Sequence, residues 1–158
     1  MALDRSVIGQ ESPAQTLLVT RSRLRAFARA TGQTDPRYTD VGAARQAGHR
    51  DLPVPPTFLF SIELEAPDPF QSLTSLGVDL RTVLHGEQEF RYHRMAYAGD
   101  ELTACARFTD VYAKKGGALQ FLVKETTVTD QHGALVATLG STTVVRTAVT
   151  PSGPEASR

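Results

Sequence analysis

Leu84-His85-Gly86-Glu87-Gln88-Glu89-Phe90-Arg91-Tyr92-His93-Arg94 is the stretch where this chain turns from helical to extended periodicity. In an extended backbone Phe90 and Tyr92 share one face, while Glu89, Arg91 and His93 take the other. The same alternation continues downstream. Ala98-Gly99-Asp100 forms a turn before a row of Leu102, Ala104, Ala106 and Phe108. Lys114-Lys115-Gly116-Gly117 turns into a strand carrying Leu119, Phe121 and Val123, and Asp130-Gln131-His132-Gly133 turns into a last one, Leu135 to Val145. Read as consecutive hairpins, these segments predict an antiparallel meander whose apolar face a helix or a second sheet must cover.

Upstream, Thr16 to Val19 reads as a short strand. Thr20 then caps a helix in which Leu24, Phe27 and Ala28 share one face, and Gly32 stops it. Asp40 caps a second helix, Val41 to Ala47, which Gly48 closes. Pro53, Pro55 and Pro56 force an extended approach to Thr57-Phe58-Leu59-Phe60-Ser61-Ile62-Glu63-Leu64. Periodicity alone leaves that run open between strand and helix. The fold class expected is α+β, an antiparallel sheet wrapped around a central helix. One domain spans 15–149, with an N-terminal extension at 1–14 and a flexible tail at 150–158, both read as dispensable for function.

At 158 residues and 41% hydrophobic content, the chain suits a single core. Its 17 Lys and Arg balance 17 Asp and Glu, so no basic field exists to neutralise a run of phosphates, and nucleic acid is not an expected partner. No segment approaches the roughly 20 apolar residues needed to cross a bilayer, and the N-terminus lacks a signal pattern. A cytoplasmic protein with no membrane partner is expected. Cys105, the single cysteine, excludes an internal disulfide and reads as a buried, inert thiol.

Between the two upstream helices the chain reads Ala30-Thr31-Gly32-Gln33-Thr34-Asp35-Pro36-Arg37-Tyr38. Gly32, Pro36 and Asp40 fit a loop of the form S-G-D-x-N-P-[IL]-H-x-D. Ala43 to His49 and Pro53 follow at the matching spacing, and Leu84 to Arg94 fits a run found with that loop. Over residues 15 to 148 the chain thus resembles the MaoC-like dehydratases, which comprise (R)-specific enoyl-CoA hydratases and (3R)-hydroxyacyl-ACP dehydratases, and in particular their N-terminal-type subunits. The resemblance implies a hot-dog fold, and it makes Thr57 to Leu64 the start of the central helix.

In those enzymes the first Asp and the His of the loop form the catalytic dyad. Here Gln33 and Tyr38 stand at those positions, and Asp35 replaces the Asn. Hydration of an enoyl thioester needs a base for water, a proton donor for the α-carbon and a donor to the thioester oxygen. An amide exchanges no proton at neutral pH, and a phenol with a reference pKa near ~10 is a poor substitute for imidazole. No catalytic residue is therefore assigned outright. Asp35 and His85 are the candidates for a rearranged site, with turn capping the competing role for Asp35.

The resemblance implies a dyad-less subunit of a dehydratase or hydratase. It would support acyl-chain binding in a hot-dog heterodimer with a catalytic MaoC-like subunit, on an acyl-CoA or acyl-ACP thioester and without a cofactor. The alternatives are a self-sufficient homodimer with a rearranged site and a non-enzymatic acyl-thioester-binding module. Thr57, whose backbone N–H falls near the family's oxyanion donor, is a candidate substrate-binding residue with Phe58, Phe60 and His85. Leu64 and Phe70 are further candidates for the acyl pocket.

Other residues carry less. If both lie on one strand, His85 and His93 are about 26 Å apart at ~3.3 Å per residue and cannot share a metal; no metal site is expected. Glu87 and Glu89 share a strand face, but Arg91 beside them makes a charge row. Lys114 and Lys115 at a hairpin tip are candidate phosphate contacts. Glu63 or Glu65 would serve as the water-activating carboxylate were the chain a hot-dog thioesterase.

Overall fold

A computed structural model describes residues 3–147, so the tail assigned to 150–158 lies outside the described residues. The extended segments become β1 (Gln15–Leu18), β2 (Val83–Tyr92), β3 (Glu101–Lys114), β4 (Leu119–Asp130) and β5 (Leu135–Arg146). They form one antiparallel sheet in the order β1-β3-β4-β5-β2. Turn chemistry sets the β4–β5 hairpin: the Asp130 carboxylate accepts from the N–H groups of His132 and Ala134, both at 2.9 Å. Gly133 there takes φ +75°.

The meander is interrupted at its first step. β3, β4 and β5 follow one another as hairpins, but β2 pairs with β5 at the far edge and not with β3. The reason lies in the segment before β3: the expected turn forms, with Asp100 N–H donating to Tyr97 O at 3.1 Å, but residues 96–98 leading into it pair with the Pro-rich segment and not with β3. Val54 N–H donates to Ala96 O and Ala98 N–H to Leu52 O, each at 2.9 Å, with a bridge between Pro53 and Tyr97. The buried Asp100 holds the end of this crossing, accepting from Tyr97 N–H at 2.8 Å and pairing with Arg50.

Helices α1 (Arg21–Ala30) and α2 (Val41–Gln46) form where the caps are. Thr20 Oγ1 accepts from Arg23 N–H at 3.3 Å and Asp40 Oδ1 from Ala43 N–H at 2.7 Å. The central helical segment is short: a 3-10 turn at Phe58–Phe60 and α3 (Ser61–Leu64), ended by Ala66-Pro67-Asp68-Pro69 before α4 (Gln71–Thr74). Leu24, Phe58, Leu59 and Ile62 pack against Leu102, Ala104, Val128, Ala137 and Leu139 of the sheet. A second cluster joins Leu3, Val7, Leu73, Val78, Val111, Leu122 and Val145.

Two details depart from the sequence pattern. The row Leu119, Phe121 and Val123 is the outer face of β4, and the buried face is Gln120, Leu122, Thr126 and Val128. Phe121 stacks on Tyr112 at 4.7 Å across β3, so apolar pairing on the outside mimics a core row. The N-terminal extension lies against the sheet, with a 3-10 turn at Arg5–Val7 and an isolated bridge to β3. Leu3 and Val7 are buried, Gly9 and Ser12 donate to Phe108 O and Ala106 O at 2.8 Å, and Glu11 bridges Arg107.

Gly86 sits at the β-bulge between His85 and Glu87. A Cβ there would lie 2.9 Å from Val144 Cγ2 and 3.0 Å from Thr142 O on β5. Gly86→Ala is expected to push β2 off β5 and cost about 1–3 kcal/mol, read as a lower urea midpoint.

Arg21 grips Asp51 with Nε at 2.9 Å and Nη2 at 2.6 Å, tying α1 to the Pro-rich segment. That hydrogen bonding, helped by Leu52 N–H, brings the Asp51 pKa down to about 2. A carboxylate whose folded pKa lies below its unfolded one stabilises fully above pH ~4 and loses that contribution as pH falls towards 2. Arg21→Ala is therefore expected to flatten the fall in urea midpoint between pH 4 and 2, leaving the neutral-pH midpoint less affected than a core truncation would.

Candidate functional site

The loop from Thr31 to Asp40 is fixed at both ends by the helices it joins. Thr31 N–H donates to Phe27 O at 2.9 Å, and Gln33 N–H to Ala28 O at 2.8 Å across Gly32 at φ +68°. Pro36 starts a 3-10 turn at Pro36–Tyr38, Asp40 N–H donates to Pro36 O at 2.8 Å, and Arg25 Nε reaches Thr39 O at 2.8 Å.

Within this frame Gln33 and Asp35 are engaged in bonds of the loop itself. Gln33 Oε1 accepts from Asp35 N–H at 3.0 Å. Asp35 caps the turn, accepting from Arg37 N–H at 3.0 Å and pairing with Arg37 Nε at 2.7 Å. Those hydrogen bonds hold its carboxyl below the usual carboxylate range, which makes it a weaker base than a free aspartate. Tyr38 is half-buried, and its backbone N–H donates to Asp35 O at 3.2 Å.

The second wall comes from the central segment and edge strand β2. Thr57 adopts φ +70°, a left-handed conformation unusual for a β-branched residue. Its N–H donates to the Tyr92 hydroxyl at 3.0 Å, so the donor expected to face a thioester carbonyl engages a phenol. Phe58 is buried edge-on against Phe27 at 5.4 Å, and Phe60 meets the exposed His85 ring edge-on at 5.5 Å. Thr57 thus meets Tyr92 and Phe60 meets His85, two contacts of the central segment with residues seven apart along β2. Leu64 and Phe70 are about half exposed.

The remaining sequence candidates fall elsewhere. Glu87 and Glu89 are exposed on the outer face, with Arg91 Nη2 at 3.4 Å from Glu89. Lys114 lies over the Tyr112 and Phe121 rings at 5.4 and 5.1 Å. His93 lies beyond β2 and contacts Thr138 Oγ1 at 3.2 Å. Cys105 contacts Ser12 O, and burial pushes its thiol pKa up. Glu65 is exposed and paired with Arg23 at 2.6 Å. Among the described residues no group of three or more His, Cys, Asp or Glu could hold a metal ion, and no helix is long and apolar enough to cross a membrane.

Two clusters escaped the sequence reading. Arg50 stacks on Tyr97 at 4.7 Å while pairing with the buried Asp100, and His49 Nδ1 lies 3.4 Å from the Tyr97 hydroxyl. Glu63 of α3 pairs with Lys124 and accepts from the buried Thr126 hydroxyl at 2.6 Å. This second cluster borders a cavity of about 540 Å³ between the α3–α4 segment and β3. The sequence offered Glu63 as a thioesterase carboxylate, but nothing in the pattern joined it to Lys124.

Compared with known proteins, residues 6–139 match the family described as FAS1-like, dehydratase domain region. A UPF0336 protein of Saccharopolyspora erythraea is 38% identical over 158 residues, which is 99% of this chain and 100% of that one. A solved MaoC-like dehydratase aligns with a TM-score of 0.79 and 30% identity over 90% of this chain, which spans 43% of that protein. The HadBC complex of Mycobacterium tuberculosis, a 3R-hydroxyacyl-ACP dehydratase, aligns with a TM-score of 0.72 and 23% identity over 90% of this chain and 99% of that one.

Proposed function

The chain belongs to the MaoC-like hot-dog dehydratase family, and from that membership we propose that it is a dyad-less subunit of a (3R)-hydroxyacyl-thioester dehydratase or enoyl-CoA hydratase. It supports acyl-chain binding for a catalytic MaoC-like partner, on a CoA or acyl-carrier-protein thioester and with no cofactor of its own. The observation that carries this reading is the loop: Gln33 is tied to the Asp35 backbone and Asp35 to Arg37. The loop then offers no general base, a role worth roughly 10²- to 10⁴-fold in rate.

Pairing with a second subunit follows from the sheet. β2 is an edge strand, and Leu84 and Tyr92 on it are each nearly half exposed. An open edge bearing large apolar side chains favours a covering partner. That HadBC is a complex is in keeping with a heterodimer here. One observation favours the self-sufficient homodimer instead: His85, an exposed imidazole, stands beside Phe60 where the acyl group would enter.

Crotonyl-CoA hydration by the purified chain, alone and mixed with a dyad-bearing MaoC-like subunit from the same organism, separates the two. Activity confined to the mixture and unchanged by Asp35→Asn is the expected result. Activity of the chain alone that His85→Ala abolishes would establish the homodimer in its place.

A further inference from the structure

The Glu63–Lys124 pair is a poor lining for a plain alkyl chain. It lies on the helix-covered face of the sheet with side-chain exposures of 20% and 25%, and Thr126 anchors it from below. In register with Lys124 stand Phe108 of β3 and Ser141 of β5, and Gln88 of β2 follows beside Ser141. The Gln88 Oε1 is buried without a hydrogen-bond partner. A polar row of Lys124, Ser141 and Gln88 thus crosses a face whose adjoining row is Thr126, Leu139 and Phe90.

The row lies close to the candidate site. Phe60 and Glu63 are three residues apart on consecutive helical turns, so they share a face and are separated by roughly 5 Å along the axis. Phe60 meets His85 and Glu63 meets Lys124. A chain passing Phe60 reaches the ion pair within one turn. Beside it the cavity of about 540 Å³ has Ala104, Ala106 and Phe108 on its floor, and Ser12, Asp68 and Ser72 in its walls. That volume suits a small-molecule site.

We propose that this cavity is a binding site for the far end of an acyl chain that carries an oxygen function, a hydroxyl above all, received by Lys124 and Glu63. This rests on the dehydratase-subunit reading and adds the class of acyl group. Each methylene laid on an apolar wall gains roughly fourfold in affinity. Laid on an ion pair, it strips water from both charges and returns no hydrogen bond. A hydroxyl can donate to Glu63 and accept from Lys124, so it keeps both satisfied.

The test is titration calorimetry of the full chain with octanoyl-CoA and 8-hydroxyoctanoyl-CoA, two saturated thioesters that no hydratase consumes. The hydroxylated thioester is expected to bind at least about tenfold tighter. In the Glu63→Gln/Lys124→Met double variant the preference is expected to reverse, and in the exchanged pair Glu63→Lys/Lys124→Glu to persist, with circular dichroism verifying that each is folded. Equal or tighter binding of octanoyl-CoA by the wild type overturns the proposal, as does a double variant with an unchanged ratio. Binding of neither thioester, in a chain that still supports crotonyl-CoA hydration in the mixture, overturns this proposal alone. A silent mixture with an intact preference overturns the dehydratase reading instead.

Discussion

Replacing Gln33 by Asp and Tyr38 by His together is expected to give the chain a crotonyl-CoA hydration rate at least about 10²-fold above its own background, the lower end of what positioned acid–base groups contribute. The frame for both side chains exists. The backbone at 33 is held by Ala28 O and that at 38 by Asp35 O. Aspartate at 33 keeps an acceptor near the Asp35 N–H that Gln33 Oε1 now uses. Histidine at 38 is smaller than the half-buried tyrosine it replaces. The two groups act on one proton path, so each single substitution is expected to give far less than the pair. The comparison is made on the chain alone and mixed with a dyad-bearing MaoC-like subunit, after a thermal melt shows the variants folded. A folded double variant without gain in either setting would mean that the loop has lost more than two side chains.

Ile62→Ala is expected to cost about 2–5 kcal/mol, the range for truncating a fully buried aliphatic side chain. At 158 residues this lowers the melting temperature by roughly 2–4 °C per kcal/mol. Ile62 is fully buried at the centre of the main core, on a helix of only four residues preceded by one 3-10 turn. A helix this short has no stability of its own and stands by what it buries. Its neighbours Phe60 and Glu63 carry the contacts to His85 and Lys124. The substitution is therefore expected to weaken thioester binding as well as stability, and calorimetry at a temperature well below the transition reads the two separately.

The elements with local causes were legible in the sequence. Thr20 and Asp40 announce helix starts by a side-chain bond three residues ahead, and Asp130 with Gly133 announces a hairpin, so α1, α2 and the β4–β5 turn stand where the pattern puts them. The pairing of β2 with β5 was not legible, because every strand alternates and the turn at Ala98-Gly99-Asp100 reads as one that joins β2 to β3; only the contacts of 96–98 with 52–54 show that it does not. The face of β4 was obscured by Phe121 on Tyr112, an outward apolar pair with the same parity signal as a core row. With that face misread, nothing joined Lys124 to Glu63, which the sequence offered only as the carboxylate of a thioesterase. The loop between α1 and α2 could be located from its Gly32, Pro36 and Asp40, while the bonds that tie Gln33 and Asp35 down are matters of geometry.

Among the described strands β2 pairs with β5 alone, and the ribosome releases it before β3 and β4 and long before the strand that receives it. The nascent chain therefore carries an unpaired strand with Leu84, Phe90 and Tyr92 on show until Leu135–Arg146 has emerged. Pairings of such long sequence separation are intrinsically slow to form and open to misassociation in the interval. If the proposed partner covers the free edge of β2, synthesis alongside it shortens that interval, and yield of folded chain is then expected to depend on coexpression more than the finished protein's stability would suggest.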